Sequence, residues 1–279
     1  MKNIMTECLI IGGDGIMKKL HFDKISIKLI VAAILVIVVS SPLAFIAANH
    51  EKIDKSVMSK NIESTENIDE IIGKTMDVKE SIILDVPLIC QMPELVNGCE
   101  ITSLAMLLNY KGYEVDKLTL ANEMEKDNTP IMYDFNGNIN SWGNPKNGFV
   151  GSVYGWDNPG YSIDPEPLYP LIDKYHGKGA INLSGLTIKE IEESIRNDMP
   201  VVVWVTGDMQ RPMEFTKWED VDGNTVQATF ELHAILITGY DKENLYYNDP
   251  LSEYKSAKIN KIQFEEVWND IGSKALTIK

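Results

Sequence analysis

The chain has 279 residues and is acidic, since 41 Asp and Glu residues against 26 Lys and Arg residues give a formal net charge of −15 at pH 7. This charge opposes binding to nucleic acid or to an anionic membrane surface, because both carry the same sign. Only three cysteines occur, whereas an exported domain stabilised by disulfides usually carries an even, denser set.

The N-terminal part of the sequence contains a hydrophobic segment. Residues 29–48 form an uncharged run of 20 residues, preceded by four lysines within residues 18–28. The run is long enough to span a bilayer, and the flanking positive charge favours a cytoplasmic N-terminus. Signal peptides and uncleaved anchors share these features, and the length of the run favours an anchor. We therefore expect residues 1–48 to be a cytoplasmic leader plus a signal or anchor segment. Translation from Met17 would shorten this leader.

The rest of the chain is predicted to be a spacer followed by one domain at the cell surface, or secreted if the segment is cleaved. Residues 49–80 are highly charged and lack a sustained apolar face, which is typical of a solvated spacer. Residues 81–279 are long enough for one sizeable core. Short helices are predicted around residues 165–175 and 186–197, and a buried strand at 200–205. This order favours an α+β domain.

Cys99 is predicted to lie on the first turn of an amphipathic helix. Apolar residues recur at helical spacing from Ile101 to Leu108, and Asn97 followed by Glu100 resembles a capping box. At a helix N-terminus, unpaired N–H groups and the helix dipole lower the pKa of a thiol. Cys99 is therefore a candidate nucleophile. The alternative is that it is a small buried hydrophobe.

Cys90 is the other cysteine of the predicted domain. It ends the apolar run Val86-Pro-Leu-Ile-Cys90, which predicts a buried strand. A disulfide between Cys90 and Cys99 would consume the candidate nucleophile. We therefore interpret Cys90 as part of the core.

An acidic segment at residues 220–231 resembles a calcium-binding loop. It places acidic or amide groups at loop positions one, three, five and twelve. The glycine required at position six is Thr225, however, and Asp222-Gly223 is a strong hairpin-turn signal. We therefore expect a β-hairpin turn here, and the chemistry proposed below requires no metal or other cofactor.

His233 is the histidine on the most strongly patterned element. Period-two alternation after Leu232 puts His233, Ile235 and Ile237 on one face of a strand. Cys99 first, a histidine roughly 130 residues later and a polar residue beyond it match the order found in papain-like enzymes. Asn248 and Asp249 both qualify as that polar residue. Because they are adjacent on a predicted strand, only one of them should reach His233.

Six motifs within residues 81–279 match a known family. They are Leu84-Asp-Val-Pro-Leu-Ile-Cys-Gln91, Asn97-Gly-Cys-Glu100, Gly143-Asn-Pro-Lys-Asn-Gly-Phe-Val-Gly151, Pro200-Val-Val-Val-Trp204, His233-Ala234 and Asn248-Asp-Pro-Leu251. Together they resemble the stand-alone bacterial cysteine peptidases related to the double-glycine leader peptidase domain of bacteriocin exporters. The ordered set is far more specific than any one motif.

This resemblance implies a papain-like fold in which a helix N-terminus carries the nucleophile and packs against an antiparallel sheet carrying His and Asp. It implies Cys99 as nucleophile, His233 as base, Asp249 as the residue that orients His233, and Gln91 in the oxyanion hole. The expected partner is a peptide or protein substrate. Two alternatives stay open, a cell-wall amidase or transpeptidase acting on peptidoglycan stem peptides and a surface binding domain without catalysis.

Overall fold

The structure is a computed structural model, and it describes residues 80–155, 158–252 and 254–279. The predicted leader, the hydrophobic segment 29–48 and nearly all of the spacer lie outside the described residues. Within the described ranges, no helix is both long enough and apolar enough to cross a membrane.

Five α-helices and thirteen β-strands make up the described part of the chain. The helices are α1 (Cys99–Tyr110), α2 (Lys117–Glu123), α3 (Tyr169–His176), α4 (Ile188–Arg196) and α5 (Lys261–Asp270), with a 3₁₀ turn at Glu166–Leu168. The strands are β1 (Ile82–Ile83), β2 (Lys126–Asp127), β3 (Met132–Tyr133), β4 (Ile139–Ser141), β5 (Phe149–Val150), β6 (Ala180–Asn182), β7 (Val201–Thr206), β8 (Thr216–Glu219), β9 (Thr225–Ala228), β10 (Leu232–Tyr240), β11 (Asn244–Asn248), β12 (Ala257–Asn260) and β13 (Ala275–Ile278).

A seven-stranded antiparallel sheet organises the domain. Its order is β12-β11-β10-β7-β13-β6, and β1 pairs with β10 beside this path. In the register, His233 of β10 lies opposite Val205 of β7, and Leu236 lies opposite Asn248 of β11. Both candidate orienting residues therefore lie at the end of the strand next to the one that carries His233.

Helices cover both faces of this sheet, which explains why its central strands are apolar throughout. On β7, Val202 and Trp204 belong to the core that contains the buried face of α1. Val201, Val203 and Val205 pack on the opposite side, in the core that contains the buried residues of α4 and α5. A strand buried on both faces carries a continuous apolar run, and all six residues of β7 are buried. The predicted α+β architecture, with a helix that begins at Cys99 packed against an antiparallel sheet, is present.

The acidic segment at residues 220–231 forms a hairpin, as expected. Strands β8 and β9 pair antiparallel on either side of the turn at residues 220–224. The Asp220 carboxylate accepts hydrogen bonds from the side chain of Asn144 and from the backbone of Asp222 and Asn224. The side-chain hydrogen bonds of Asn144 and Asn224 contribute most to lowering the pKa of Asp220 to about 2. The Asp220 carboxylate thus stabilises the turn between β8 and β9.

Candidate active site

Cys99 is the first residue of α1, at the buried N-terminus of the helix. The N-cap is Gly98, and no side chain caps the helix. A Cβ atom on Gly98 would lie 2.5 Å from Cβ of Leu95, so the close approach of the preceding turn requires glycine. The expected capping box is therefore wrong. Asn97 instead donates its side-chain N–H to the carbonyl of Ser152, which joins the loop before α1 to the segment that follows β5.

The Cys99 thiol lies next to a buried carboxyl group. Its Sγ donates to Oε2 of Glu100 at 3.3 Å, and Oε1 of the same carboxyl accepts from Oγ of Ser162 at 2.6 Å. Cys99 is 8% exposed and Glu100 only 1%. Burial of a carboxyl group is unfavourable unless donors satisfy its oxygens, and here each oxygen has one donor.

This environment raises the pKa of the Cys99 thiol well above its usual range. Burial is the largest cause, followed by the negative charge of Glu100 and the hydrogen bond to it; backbone hydrogen bonds from Ala234 and Glu100 act in the opposite direction. The prediction that the helix N-terminus lowers this pKa is therefore wrong. Desolvation of the thiol and the negative charge of Glu100 outweigh the effect of the helix dipole. The pKa of Glu100 is also raised by burial, although the Ser162 hydrogen bond opposes the shift.

His233 and Asp249 form a hydrogen-bonded pair on the sheet side of the site. Nε2 of His233 lies 2.8 Å from Oδ1 of Asp249, and His233 is 4% exposed. Burial raises the pKa of Asp249, but the hydrogen bond and charge of His233, together with the N–H of Leu251, outweigh it and lower the pKa overall. Since Nε2 is held by the carboxylate, Nδ1 is the ring nitrogen through which His233 would exchange a proton.

Asn248 points away from His233, as expected for neighbours on a strand. Its Nδ2 donates to the carbonyl of Val86 at 3.2 Å, and its Oδ1 accepts from the backbone N–H of Ser256 at 3.0 Å. Asn248 is almost completely buried. It therefore joins two backbone segments, whereas Asp249 alone of the two contacts the imidazole.

The helix side of the site, which carries Cys99 and Glu100 on α1, meets the sheet side, which carries His233 and Asp249, through the backbone of β10. Oγ of Ser103, one turn along α1, donates to the carbonyl of Ala234 at 3.2 Å. A backbone hydrogen bond from Ala234 also reaches the Cys99 thiol, and the charge of His233 acts on Glu100. No hydrogen bond joins Cys99 to His233 directly among the residues that the structure describes. The thiol proton is directed to Glu100 instead.

Gln91 lies in the same region, in the turn that leads to α1. Its Nε2 donates to the carbonyls of Leu95 at 3.0 Å and Val96 at 2.9 Å, while its backbone N–H donates to the carbonyl of Pro250 at 2.8 Å. Gln91 is 2% exposed, and its Oε1 has no partner among the described residues. The turn before Cys99 is thus joined directly to the residue that follows Asp249.

The other cysteine of the domain is exposed, so its interpretation as a core residue is wrong. Strand β1 ends at Ile83, and the chain near Cys90 is irregular. Sγ of Cys90 contacts the carbonyl of Ser252 at 3.3 Å, and neither Cys90 nor Cys99 forms a disulfide. The apolar run contributes one fully buried residue, Val86, while Leu88 and Ile89 are partly buried against the core and Cys90 itself is exposed.

Two residues of the site, Glu100 and Ser162, had no predicted part in its chemistry. The capping-box pattern predicts that Glu100 caps the helix, because acidic residues are common on a first helical turn. Its position directly after a candidate nucleophile is the signal for a different function. Ser162 carries no sequence signal, since only the fold brings it next to α1.

Comparisons with known proteins confirm the predicted papain-like fold. A sequence profile of the Peptidase_C39-like family matches residues 83–276. The uncharacterized protein YvpB of Bacillus subtilis (strain 168) is 35% identical over 223 residues, which are 79% of this chain and 85% of YvpB. A crystal structure from Bacillus anthracis, described as a candidate C39-like peptidase, is 38% identical with a TM-score of 0.64. That match covers 72% of this chain and 98% of the other.

The chain therefore belongs to the Peptidase_C39-like family. This result confirms the resemblance inferred from the six sequence motifs. The family match begins at residue 83, one residue after the start of β1, and includes all four predicted site residues.

Proposed function

We propose that the protein is a cysteine peptidase that hydrolyses peptide bonds, with Cys99 as nucleophile, His233 as general base and Asp249 as the residue that orients the imidazole. The observation that carries this proposal is the 2.8 Å hydrogen bond between Nε2 of His233 and Oδ1 of Asp249, with His233 on β10, a strand that packs against the helix that begins at Cys99. A carboxylate on one ring nitrogen fixes the tautomer and stabilises the imidazolium that forms during the reaction.

The proposed reaction is acyl transfer to water. His233 takes the thiol proton of Cys99 at Nδ1, and the thiolate sulfur attacks the carbonyl carbon of the substrate. When the tetrahedral intermediate collapses, the C–N bond breaks and His233 gives its proton to the leaving amine. Water, deprotonated by His233, then attacks the thioester carbonyl and releases the carboxylic acid and the Cys99 thiol.

The oxyanion of each intermediate needs hydrogen-bond donors. We assign the backbone N–H of Cys99 and the side-chain amide of Gln91 to this function. The Gln91 amide donates to the carbonyls of Leu95 and Val96 in the present structure. To serve an oxyanion, Nε2 has to share or exchange one of these bonds. The tether of the Gln91 backbone to Pro250 holds the amide near the site during this exchange.

The raised pKa of Cys99 sets a requirement for this mechanism. A thiol whose pKa is raised is a poor nucleophile at neutral pH unless a base removes its proton as it attacks. His233 meets this requirement only when the S–H bond turns from Glu100 toward Nδ1. The same raised pKa would also be expected of a binding domain without catalysis, so activity is the deciding measurement.

Hydrolysis by the full-length protein tests the proposal. Wild-type protein, Cys99→Ala and the control Cys90→Ala would be incubated with a peptide library and, separately, with purified peptidoglycan. Cleavage would be identified by mass spectrometry. We expect peptide cleavage by wild type and Cys90→Ala, and a loss of about a thousandfold or more in Cys99→Ala. Cleavage of peptidoglycan stem peptides alone would transfer the activity to a cell-wall amidase. No cleavage by wild type, or full cleavage by Cys99→Ala, would contradict the proposal.

We further propose that the domain is exported and held at the membrane by residues 29–48. The support is the 20-residue uncharged run and the lysines before it. Protease added outside intact cells should digest the domain while full-length protein fractionates with membranes. Recovery of only a shortened, soluble protein beginning near residue 49 would show cleavage of a signal peptide instead.

A further inference from the structure

The carboxyl group of Glu100 occupies an unusual place for an acidic side chain. It is 1% exposed and immediately follows the proposed nucleophile. Its two hydrogen-bond donors, Sγ of Cys99 at 3.3 Å and Oγ of Ser162 at 2.6 Å, are both neutral groups. The proposed mechanism uses neither Glu100 nor Ser162. A buried carboxyl without a required function would be unfavourable for stability, which makes its contact with the thiol informative.

Titratable groups on the surrounding elements determine what this carboxyl can do. Cys99 lies beside it on α1, and His233 acts on it from β10 through its positive form. Tyr161, which precedes Ser162, has its pKa raised by burial and by the charges of Asp164 and Glu100. Asp249 lies behind His233 and is paired with it. Among these groups only His233 can carry a positive charge, and that charge is already paired with the Asp249 carboxylate.

We propose that Glu100 is a positioning residue that holds Cys99 in a resting thiol state, with its S–H directed at Oε2 rather than at His233. This inference rests on the proposed function of Cys99 as nucleophile. A thiol has one proton, so its hydrogen bond to Glu100 competes with transfer of that proton to Nδ1 of His233. Ser162 holds the other carboxyl oxygen, which keeps Oε2 aimed at the sulfur.

The charge of Glu100 has a second effect on the same sulfur. An ionised carboxyl hydrogen-bonded to a thiol disfavours loss of the thiol proton, because the thiolate would place two negative charges side by side in a buried region. Removing the Glu100 charge while preserving the shape of the side chain should therefore let the thiolate form at lower pH. A purely structural contribution of Glu100 to the packing of α1 would not produce this change.

The pH dependence of alkylation measures this effect directly. Full-length wild type, Glu100→Gln and the control Glu193→Gln would be treated with iodoacetamide over roughly pH 6 to 11, which spans the usual thiol range. Glu193 is exposed on α4, which packs on the opposite face of the sheet from α1, so its substitution removes the same charge from the surface and not from the buried site. Peptide mapping by mass spectrometry would separate Cys99 from the exposed Cys90.

We expect the midpoint of Cys99 alkylation in Glu100→Gln to move to lower pH by at least about one unit, and the midpoint in Glu193→Gln to match wild type. A midpoint that is unchanged or moves upward would overturn the proposal. If Glu100→Gln does not fold, Glu100→Met, which is similar in volume and uncharged, is expected to give the same downward shift. Alkylation requires no hydrolysis, so a protein that shows this shift but cleaves no peptide would contradict the proposed function alone.

Discussion

The two sides of the candidate site differ in how their titratable groups are paired. On the sheet side, His233 and Asp249 form a hydrogen-bonded acid–base pair, and the pKa of Asp249 is lowered. On the helix side, Cys99 and Glu100 are two acids in contact, and both have raised pKa values. The Asp249 carboxylate therefore favours its charged state, whereas the helix side opposes ionisation. In the proposed enzyme the imidazole is already oriented by this carboxylate, and the unfavourable step is release of the thiol proton.

Hydrogen bonds to the backbone fix the positions of both sides. Ser103 of α1 is bonded to the carbonyl next to His233, and the backbone of Gln91 is bonded to Pro250, next to Asp249. The helix and the sheet can hardly move apart without breaking these buried bonds. The freedom that remains is in the side chains, mainly in the direction of the Cys99 S–H bond.

Removing the carboxylate of the sheet side should give the largest effect of the three predictions that follow. We expect Asp249→Ala to lower kcat about a thousandfold or more, because the imidazole loses both its orientation and the charge that stabilises it. Asn248→Ala is the matched control on the same strand end. It should keep most of the activity but lose about 1–3 kcal/mol of stability, since the buried carbonyl of Val86 and the half-buried N–H of Ser256 lose their partners.

Steady-state kinetics with urea unfolding would compare these two variants. The reverse ranking, with both proteins folded by circular dichroism, would show that Asn248 is the orienting residue and that the Asp249 contact is incidental. Such a result would also remove the difference between the two sides of the site, because the sheet side would no longer depend on a charged pair.

Gln91→Ala should have an intermediate effect and tests the link between the two sides. We expect kcat to fall about a hundredfold with little change in KM, because an oxyanion donor acts only in the transition state. Thermal unfolding should also occur at lower temperature, since the carbonyls of Leu95 and Val96 lose their donor. Loss of stability with unchanged kcat would limit Gln91 to holding the turn before α1.

The sequence was informative wherever one local pattern determined the structure. Alternation and apolar runs predicted β7 and β10, and helical spacing predicted α1 and α4, because each element buries residues at its own period. The choice between Asn248 and Asp249 needed the register of β11 against β10, which a hairpin pattern cannot supply. The family resemblance selected Asp249, and the structure places its carboxylate against His233.

Properties that depend on burial could not be read from the sequence in the same way. The helix-end position of Cys99 predicts a lowered pKa, but the packing of α1 against the sheet desolvates the thiol and brings Glu100 into contact with it. The apolar run before Cys90 predicts burial, yet the side chain of Cys90 is exposed. Ser162 is 62 residues away from Glu100 in sequence, and only tertiary structure joins them.

The smallest expected effect concerns the stability of the helix side, measured as the difference between Glu100→Gln and wild type. The pKa of Glu100 in the folded protein is raised above its usual 4.5, so its favourable contribution to stability is complete below that value and is lost as pH rises through the folded pKa. Glutamine does not titrate. The free energy of unfolding of Glu100→Gln should therefore increase relative to wild type as pH rises from about 4.5 toward neutrality.

Thermal unfolding of both proteins at matched pH values would follow this difference, with Glu193→Gln as the control for loss of one surface charge. Each kcal/mol gained should raise Tm by about 2–4 °C in a domain of this size. Below about pH 8 the Cys99 thiol stays protonated because its own pKa is raised, so Glu100 is the group of the contact that titrates in this range. If the difference stays flat or shrinks as pH rises, the Glu100 carboxyl is not destabilised by burial, and the helix side does not oppose charge in the way that distinguishes it from the sheet side.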